Sequence, residues 1–343
     1  MAPSQRSRTP GATTIYAVAE RAGVSTATVS RALAGSSRVA SATRERVLQA
    51  ARELQYLPDA SARALAGRRT GALGIVLPHI DGPYYAELLV GFEIAASELD
   101  LSVVIALANP KADSRRTVRG LAGRVDALAF MARSSADDDL VADLARRRPV
   151  LTAARGVVEG TDALFAENRT TARSLTDHLL DHGRTRLAFV GRPEPASDIG
   201  QRYEGFRDAL TARSLTPAAE FAVDPVDAAG TDVADRLLDE DLAVDAVVCG
   251  NDELALALSS RLSQRGIEVP TQIAIVGWDD TAAARYISPG LTTVRQPVRE
   301  MGALAARTLA SRIAGVEPEE PTTLSSHIVL RSSCGCPAER SAA

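Results

Sequence analysis

Apolar positions follow a helical period over the first fifty or so residues and then give way to short apolar runs. In TIYAVAERAG, Ile15, Val18, Ala19 and Ala22 fall at i, i+3, i+4 and i+7, which predicts a helix capped by Thr14 and stopped at Gly23. A second helix is expected from Thr26 to Leu33, with Ser25 as N-cap. On it Val29, Ala32 and Leu33 share one side, while Thr26, Ala27, Ser30 and Arg31 span about 140° of the other. In SATRERVLQAARELQY, Ser41 reads as the N-cap of a third helix, with Val47, Leu48, Ala51 and Leu54 as its apolar stripe.

From residue 71 the rhythm changes. The strand-like runs ALGIVLP, SVVIALA, DALAFMA and VLTAA alternate with amphipathic segments over 84–99, about 114–122 and 137–147. It resumes with RLAFVG, AEFAV, DAVVCG and IAIVGW, separated by helices over 200–213, 230–240 and 252–265. Strand and helix in alternation predict parallel sheets covered by helices, and so many strands suit two doubly wound subdomains better than one sheet. The fold class is thus α/β, with an all-α head.

Two short helices, a tight glycine-containing turn and a third helix that buries them describe a helix-turn-helix, whose second helix lies in the DNA major groove. Arg31 can donate two hydrogen bonds to guanine O6 and N7, and Ala27 and Thr26 can meet a thymine methyl or another base edge. Ser25, Ser30, Arg38, Arg44 and Arg46 suit phosphate contacts, which position the protein without specifying sequence. Charge agrees with this reading. Through Thr70 there are 11 arginines against 4 acidic residues, whereas the remainder carries 28 basic against 39 acidic residues. A basic head on an acidic body is what a polyanion-binding module on a regulatory body would carry.

TTIYAVAERAGVSTATVSRALAG, followed by RVLQAARELQYLPDASARALAGRRTGALGIVLP, resembles the DNA-binding head and hinge of the lactose-repressor (LacI/GalR) family of bacterial transcription regulators. GNDELALAL, IAIVGWDD and LTTVRQPVREMG resemble that family's effector domain, so the likeness runs from about residue 14 to residue 331. It implies a tail over 1–13, a helix-turn-helix domain over 14–57 and a hinge helix and linker over 58–70. A periplasmic-binding-protein-like body for effector binding and dimerisation follows over 71–331, then a tail over 332–343. Pro58, Asp59 and Gly67 bound about two helical turns, too short to be stable alone in water. Leu65 matches the family's hinge leucine, which enters the minor groove at the operator centre. The expected DNA-contacting set is Ser25, Thr26, Ala27, Thr28, Ser30, Arg31, Arg38 and Leu65.

Ligands of doubly wound folds sit beyond the carboxyl ends of the strands. Asp279 ends IVGWDD, Asn251 and Asp252 end VVCGND, Tyr84 and Tyr85 follow IVLPHIDGP, and Arg202 follows the strand ending at Gly191. Paired hydrogen bonds from carboxylate, amide and guanidinium suit neighbouring hydroxyls, and an aromatic face suits a sugar or a base. The resemblance supports Asp279, Arg202 and Asn251 as effector contacts, with Tyr84 and Tyr85 at the pocket mouth. It departs at Ala154, where many members carry an aspartate before the arginine, and between Asn109 and Val125, which is a few residues short.

The expected function is an allosteric repressor: a homodimer on a pseudo-palindromic operator, whose DNA affinity a sugar or sugar derivative changes. A nucleoside or purine corepressor, or a sugar-binding protein without gene control, are the alternatives. No G-x-S-x-G, P-loop or G-x-G-x-x-G is present, so no enzyme and no cofactor are expected. His178 and His182 in HLLDHG have the spacing of a metal pair without an evident third ligand, and the C-G-C at Cys334 and Cys336 is incomplete alone. No metal is therefore expected. With Cys249 these make three cysteines, no apolar run approaches ~18 residues, and the basic start has no apolar h-region. A cytoplasmic, nucleoid-associated protein without a membrane partner follows. No heptad-bearing tail follows HIVLRSS, which favours a dimer over a coiled-coil tetramer.

Overall fold

The computed structural model describes residues 14–33, 36, 38–56, 69–80, 82–108, 113–131, 134–195, 197–317 and 320–337. The expected hinge helix and Leu65 lie outside the described residues. Two compact units divide the chain between Thr70 and Gly71.

In the first unit, α1 (Ile15–Ala22) is capped by the Thr14 side chain and ends at Gly23 in the left-handed conformation. In α2 (Thr26–Leu33), Ser25 Oγ accepts from the Thr28 N–H at 3.2 Å. The helix α3 (Ser41–Glu53) begins at Ser41 itself, and Ala40 precedes it without a side-chain cap. Its stripe also differs from expectation. Val47, Ala50, Ala51 and the half-buried Leu54 fill the i, i+3, i+4, i+7 positions, and Leu48 is exposed. Val18, Ala19, Ala22, Val29, Ala32 and Val39 complete a small three-helix core.

The second unit holds two parallel sheets. The larger contains β1 (Ala72–Leu77), β2 (Ser102–Leu107), β3 (Ala127–Met131), β4 (Val150–Ala153), β5 (Asp162–Ala166) and β11 (Thr322–Leu324), in the order β11-β5-β4-β3-β1-β2. Helices α4 (Pro83–Glu98) and α12 (Val298–Ile313) pack on one face, α5 (Ser114–Ala122) and α6 (Asp138–Ala145) on the other. The smaller sheet, β7-β6-β8-β9, is built from β6 (Leu187–Val190), β7 (Ala219–Phe221), β8 (Ala246–Cys249) and β9 (Ala274–Val276). It lies between α7 (Arg169–Asp181) with α8 (Asp198–Ala212) and α9 (Asp227–Asp239) with α10 (Asp252–Gln264). A short helix α11 (Ala282–Tyr286) and an antiparallel pair, β10 (Thr293–Arg295) with β12 (His327–Val329), close this half.

The runs β1, β3, β4, β6 and β8 are buried throughout, as strands covered on both faces should be. β2 is only partly covered, with one buried position, because it is an edge strand. β5 and α7, absent from the sequence reading, link the two sheets, and the chain crosses between the halves three times: after β5, between β10 and α12, and between β11 and β12. Residues 332–337, expected as part of a tail, are folded in. Ser333 Oγ donates to the Ile275 carbonyl at 2.6 Å, and Cys334 is fully buried.

α4 and α12 approach each other through glycine. A Cβ on Gly302 would lie 2.1 Å from the Leu88 carbonyl oxygen, and one on Gly91 would lie 1.9 Å from that of Arg299. Backbone cannot yield as a flexible side chain does, so Gly302→Ala is expected to lower stability by about 1–3 kcal/mol. Urea denaturation should show a lower midpoint with an unchanged m value.

Candidate functional site

On the head, Ala27, Ser30 and Arg31 stand exposed on α2, with Thr26 and Thr28 half-buried beside them. Ser25 and Thr28 also hydrogen-bond to each other at 2.9 Å, so the cap is a two-residue unit. Arg38 and Arg46 are exposed. Arg44, expected at phosphate, donates instead to the Ser36 carbonyl at 2.6 Å and fastens the loop between α2 and α3. Tyr16, which lies off the apolar stripe of α1, is 72% exposed, an aromatic that the periodicity argument passed over.

In the body, the loops after β1, β3, β4, β6, β7, β8 and β9 surround a cleft of about 430 Å³. Strand order reverses between β1 and β3 in one sheet and between β6 and β8 in the other, which opens the crevice in which ligands of such sheets bind. Arg202 is 5% exposed and held from several directions. Its Nε donates to Asn168 Oδ1 at 2.8 Å, its Nη1 donates to the Gly250 carbonyl at 2.6 Å, and its guanidinium lies 4.6 Å from the centre of the Trp278 ring. Nη2 is 3.7 Å from Asp198, an ion pair beyond the length of a good hydrogen bond.

Asp279 adopts φ +122°, a strained conformation for a non-glycine residue, and its carboxylate accepts from Gln296 Nε2 at 2.7 Å. Burial pushes its pKa up to about 8, opposed by the charge of Arg202. Burial raises Asp198 to about 6, again against Arg202 and a hydrogen bond from Asn168. The Tyr84 hydroxyl is buried, and burial together with nearby Asp198 holds it well above the ordinary tyrosine range. Neither Tyr84 Oη nor Gln296 Oε1 has a protein partner among the described residues.

The predicted site residues separate into groups. Arg202, Asp279 and Tyr84 converge on the cleft. Tyr85 lines it too, but as a core residue rather than at its mouth: it is 6% exposed and packs edge-on against His79 and Tyr84. Asn251 also lines the cleft, yet its carboxamide is committed. Oδ1 accepts from the Leu254 N–H at 3.1 Å as the cap of α10, and Nδ2 donates to the Pro225 carbonyl at 3.3 Å. A capping role thus accompanies its place in the cleft wall. Asp252 is fully buried on Thr293 and the Thr281 N–H, a structural carboxylate.

Sequence reading missed Asn168, Asp198 and Gln296. Asp198 stands one helical turn before Arg202, a spacing visible in the sequence, whereas Asn168 and Gln296 sit on interdomain crossovers that only the fold reveals. At the position where the family departs, Ala154 has φ +56°, and Arg155 donates to the Ala136 carbonyl at 3.1 Å in the cleft wall. The third candidate that the sequence did not make evident beside His178 and His182 comes from the C-G-C turn: Cys334 lies against His178, and Cys336 against both.

Residues 14–59 match the family model described as bacterial regulatory proteins, lacI family, and residues 176–334 match the periplasmic binding protein-like domain. The chain is 32% identical to catabolite control protein A of Priestia megaterium over 86% of its own length and 91% of the relative's. The Lac repressor dimer bound to operator and the anti-inducer ONPF has a similar structure, with a TM-score of 0.83 at 26% identity over 94% of this chain and 99% of that one. A transcriptional regulator CelR–cellobiose complex gives 0.71 at 30% identity, over 94% and 99%. A helix-turn-helix head on a two-sheet binding body defines a DNA-binding transcriptional regulator. The chain belongs to the lacI family of bacterial regulatory proteins.

A carboxyl raised by burial stabilises the fold while protonated, and that contribution fades as pH climbs through the folded-state pKa. The window for Asp198 closes near pH 6 and that for Asp279 near pH 8. Between about pH 6 and about pH 8, therefore, stability of the ligand-free protein should fall with a slope of up to one proton. Asp279→Asn should abolish that slope, which denaturant titrations across the window can check.

Proposed function

We propose that this regulator is a homodimeric repressor of a pseudo-palindromic operator, and that a sugar or sugar derivative bound in the body cleft changes its operator affinity. On DNA, Arg31 would read a guanine, Ala27 and Thr26 a thymine methyl or base edge, and Ser25, Thr28, Ser30 and Arg38 would contact the backbone. Exposure of Ala27, Ser30 and Arg31 on a capped helix supports this assignment. Leu65, outside the described residues, would wedge the operator centre.

The observation that carries the sugar reading is the set of polar atoms that the protein leaves for a ligand. Among the described residues, Tyr84 Oη and Gln296 Oε1 are buried without protein partners, beside the Asp279 carboxyl and Arg202 Nη2. Buried polar atoms require partners, and vicinal hydroxyls both donate and accept. The similar CelR regulator, in complex with cellobiose, supports the same class.

Pairing into a homodimer is supported by Val90 and Ile94 of α4 and Ile105 and Leu107 of the adjoining edge strand β2, all exposed apolar residues, and by the dimeric state of the similar Lac repressor. Two heads then meet two half-sites. A ligand that spans both cleft walls favours one closure state of the three-crossover body, and only that differential affinity can be passed to the DNA.

Thermal shifts against sugars, sugar phosphates, polyols and nucleosides test the ligand class. At 100-fold excess over Kd a true ligand adds about 2.7 kcal/mol; a response to nucleosides alone would overturn the sugar assignment. Asp279→Ala should bind operator as the parent does and lose the ligand's effect on DNA affinity in a gel-shift titration. Arg31→Ala should lose about 1–3 kcal/mol on the cognate site and much less on scrambled DNA. Equal loss on both would place Arg31 on phosphate.

A further inference from the structure

His178 and His182 lie one turn apart at the C-terminal end of α7, where His182 is the capping residue. The Cys334-Gly335-Cys336 turn, just past β12, packs against them. His178 Nε2 is 3.3 Å from Cys334 Sγ and 3.4 Å from Cys336 Sγ, and His182 Nε2 is 3.5 Å from Cys336 Sγ. The ligand atoms of His178, Cys334 and Cys336 all lie within 4.8 Å of one another. One imidazole nitrogen and two sulfurs, drawn from segments more than 150 residues apart, converge, with a second imidazole, that of His182, against Cys336.

A tetrahedral ion with bonds of about 2.3 Å to sulfur and about 2.05 Å to nitrogen sets sulfur and nitrogen about 3.6 Å apart. The three sulfur–nitrogen spacings of 3.3, 3.4 and 3.5 Å need only a few tenths of an ångström to match. Gly335 adopts φ +105°, closed to ordinary L residues, and this lets both cysteines face α7. Thr292 Oγ1 lies 3.1 Å from Cys334 Sγ and 3.0 Å from the Arg331 carbonyl, an outer-shell hydroxyl that can donate to the sulfur once the ion has displaced the thiol proton. Cys334 is fully buried while His182 is exposed, so the cluster has both a dry side and an entry path.

We propose that His178, Cys334 and Cys336 hold a thiophilic divalent ion, Zn²⁺, with His182 turning in from beside Cys336 to complete a Cys2His2 site that pins the C-terminal segment to α7. Binding displaces one proton from each thiol to solvent, and the two thiolates neutralise the ion, so affinity rises with pH. The pinned segment reaches the effector cleft. Arg331 donates from Nη2 to Asp280 at 2.5 Å, and Asp280 follows Asp279 in the chain. The ion thus steadies the turn that carries a cleft carboxyl.

The test uses the full chain, reduced and stripped of metal by a chelator, then titrated with Co²⁺ as a spectroscopic probe and with Zn²⁺ in competition. The expected result is one equivalent per chain, with a thiolate-to-cobalt charge-transfer band and intense tetrahedral d–d bands that Zn²⁺ abolishes. Cys336→Ser and His182→Ala, both at accessible positions, should each weaken binding by more than the ~10–100-fold that loss of an outer-shell partner costs, with far-ultraviolet circular dichroism unchanged. Weak octahedral cobalt bands, binding indifferent to both substitutions, or a Cys334–Cys336 disulfide that persists under reductant and Zn²⁺ would each overturn the site.

Discussion

The cleft depends on one buried cation. Arg202 joins the crossover at Asn168 to the strand end at Gly250 and the ring of Trp278, so a single guanidinium ties a crossover to two neighbouring strand ends. A charge so enclosed persists only when its donors are matched, because a broken buried pair leaves an uncompensated ion. Its field also offsets part of the burial that raises Asp198 and Asp279. The result is a polar cleft wall in which two buried carboxyls, their pKa raised to about 6 and about 8, stand beside one guanidinium.

Strand-end geometry does the rest. Asp279 and Asp280 are adjacent, yet φ values of +122° and +51° send them to different surroundings. Asp279 meets Gln296 in the cleft, while Asp280 is enclosed by Arg331, Arg295 and Arg285. Burial alone would raise Asp280, but hydrogen bonds from Arg331 and Arg295 hold its carboxyl below the ordinary value. One neighbour anchors the turn and the other stays available for chemistry.

The C-terminal segment supports that turn from behind. Ser333 bridges the Thr292 N–H and the Ile275 carbonyl, Arg331 reaches Asp280, and Cys334 enters the core of the smaller sheet. Whatever holds residues 331–336 in place therefore also sets the backbone from which Asp279 projects. The metal site would make this support sensitive to zinc and to thiol oxidation, a coupling between surface chemistry and the cleft.

The sequence by itself determined the parts that rest on local periodicity and capping: the three helices of the head, the exposed Arg31 face and the alternation of strand and helix. Asp279, Arg202 and Tyr84 were also legible, because family motifs place them just beyond apolar strands. Less local features were not. β5 and α7 escaped because the reading paused between two repeats, and Leu48 was misplaced because one step of helical phase moves a side chain by about 100°. Asn168, Gln296 and the cysteine–histidine cluster could come only from the tertiary structure. Their partners lie on crossovers or at opposite ends of the body, and periodicity carries no information about which distant segments a fold brings within a few ångströms.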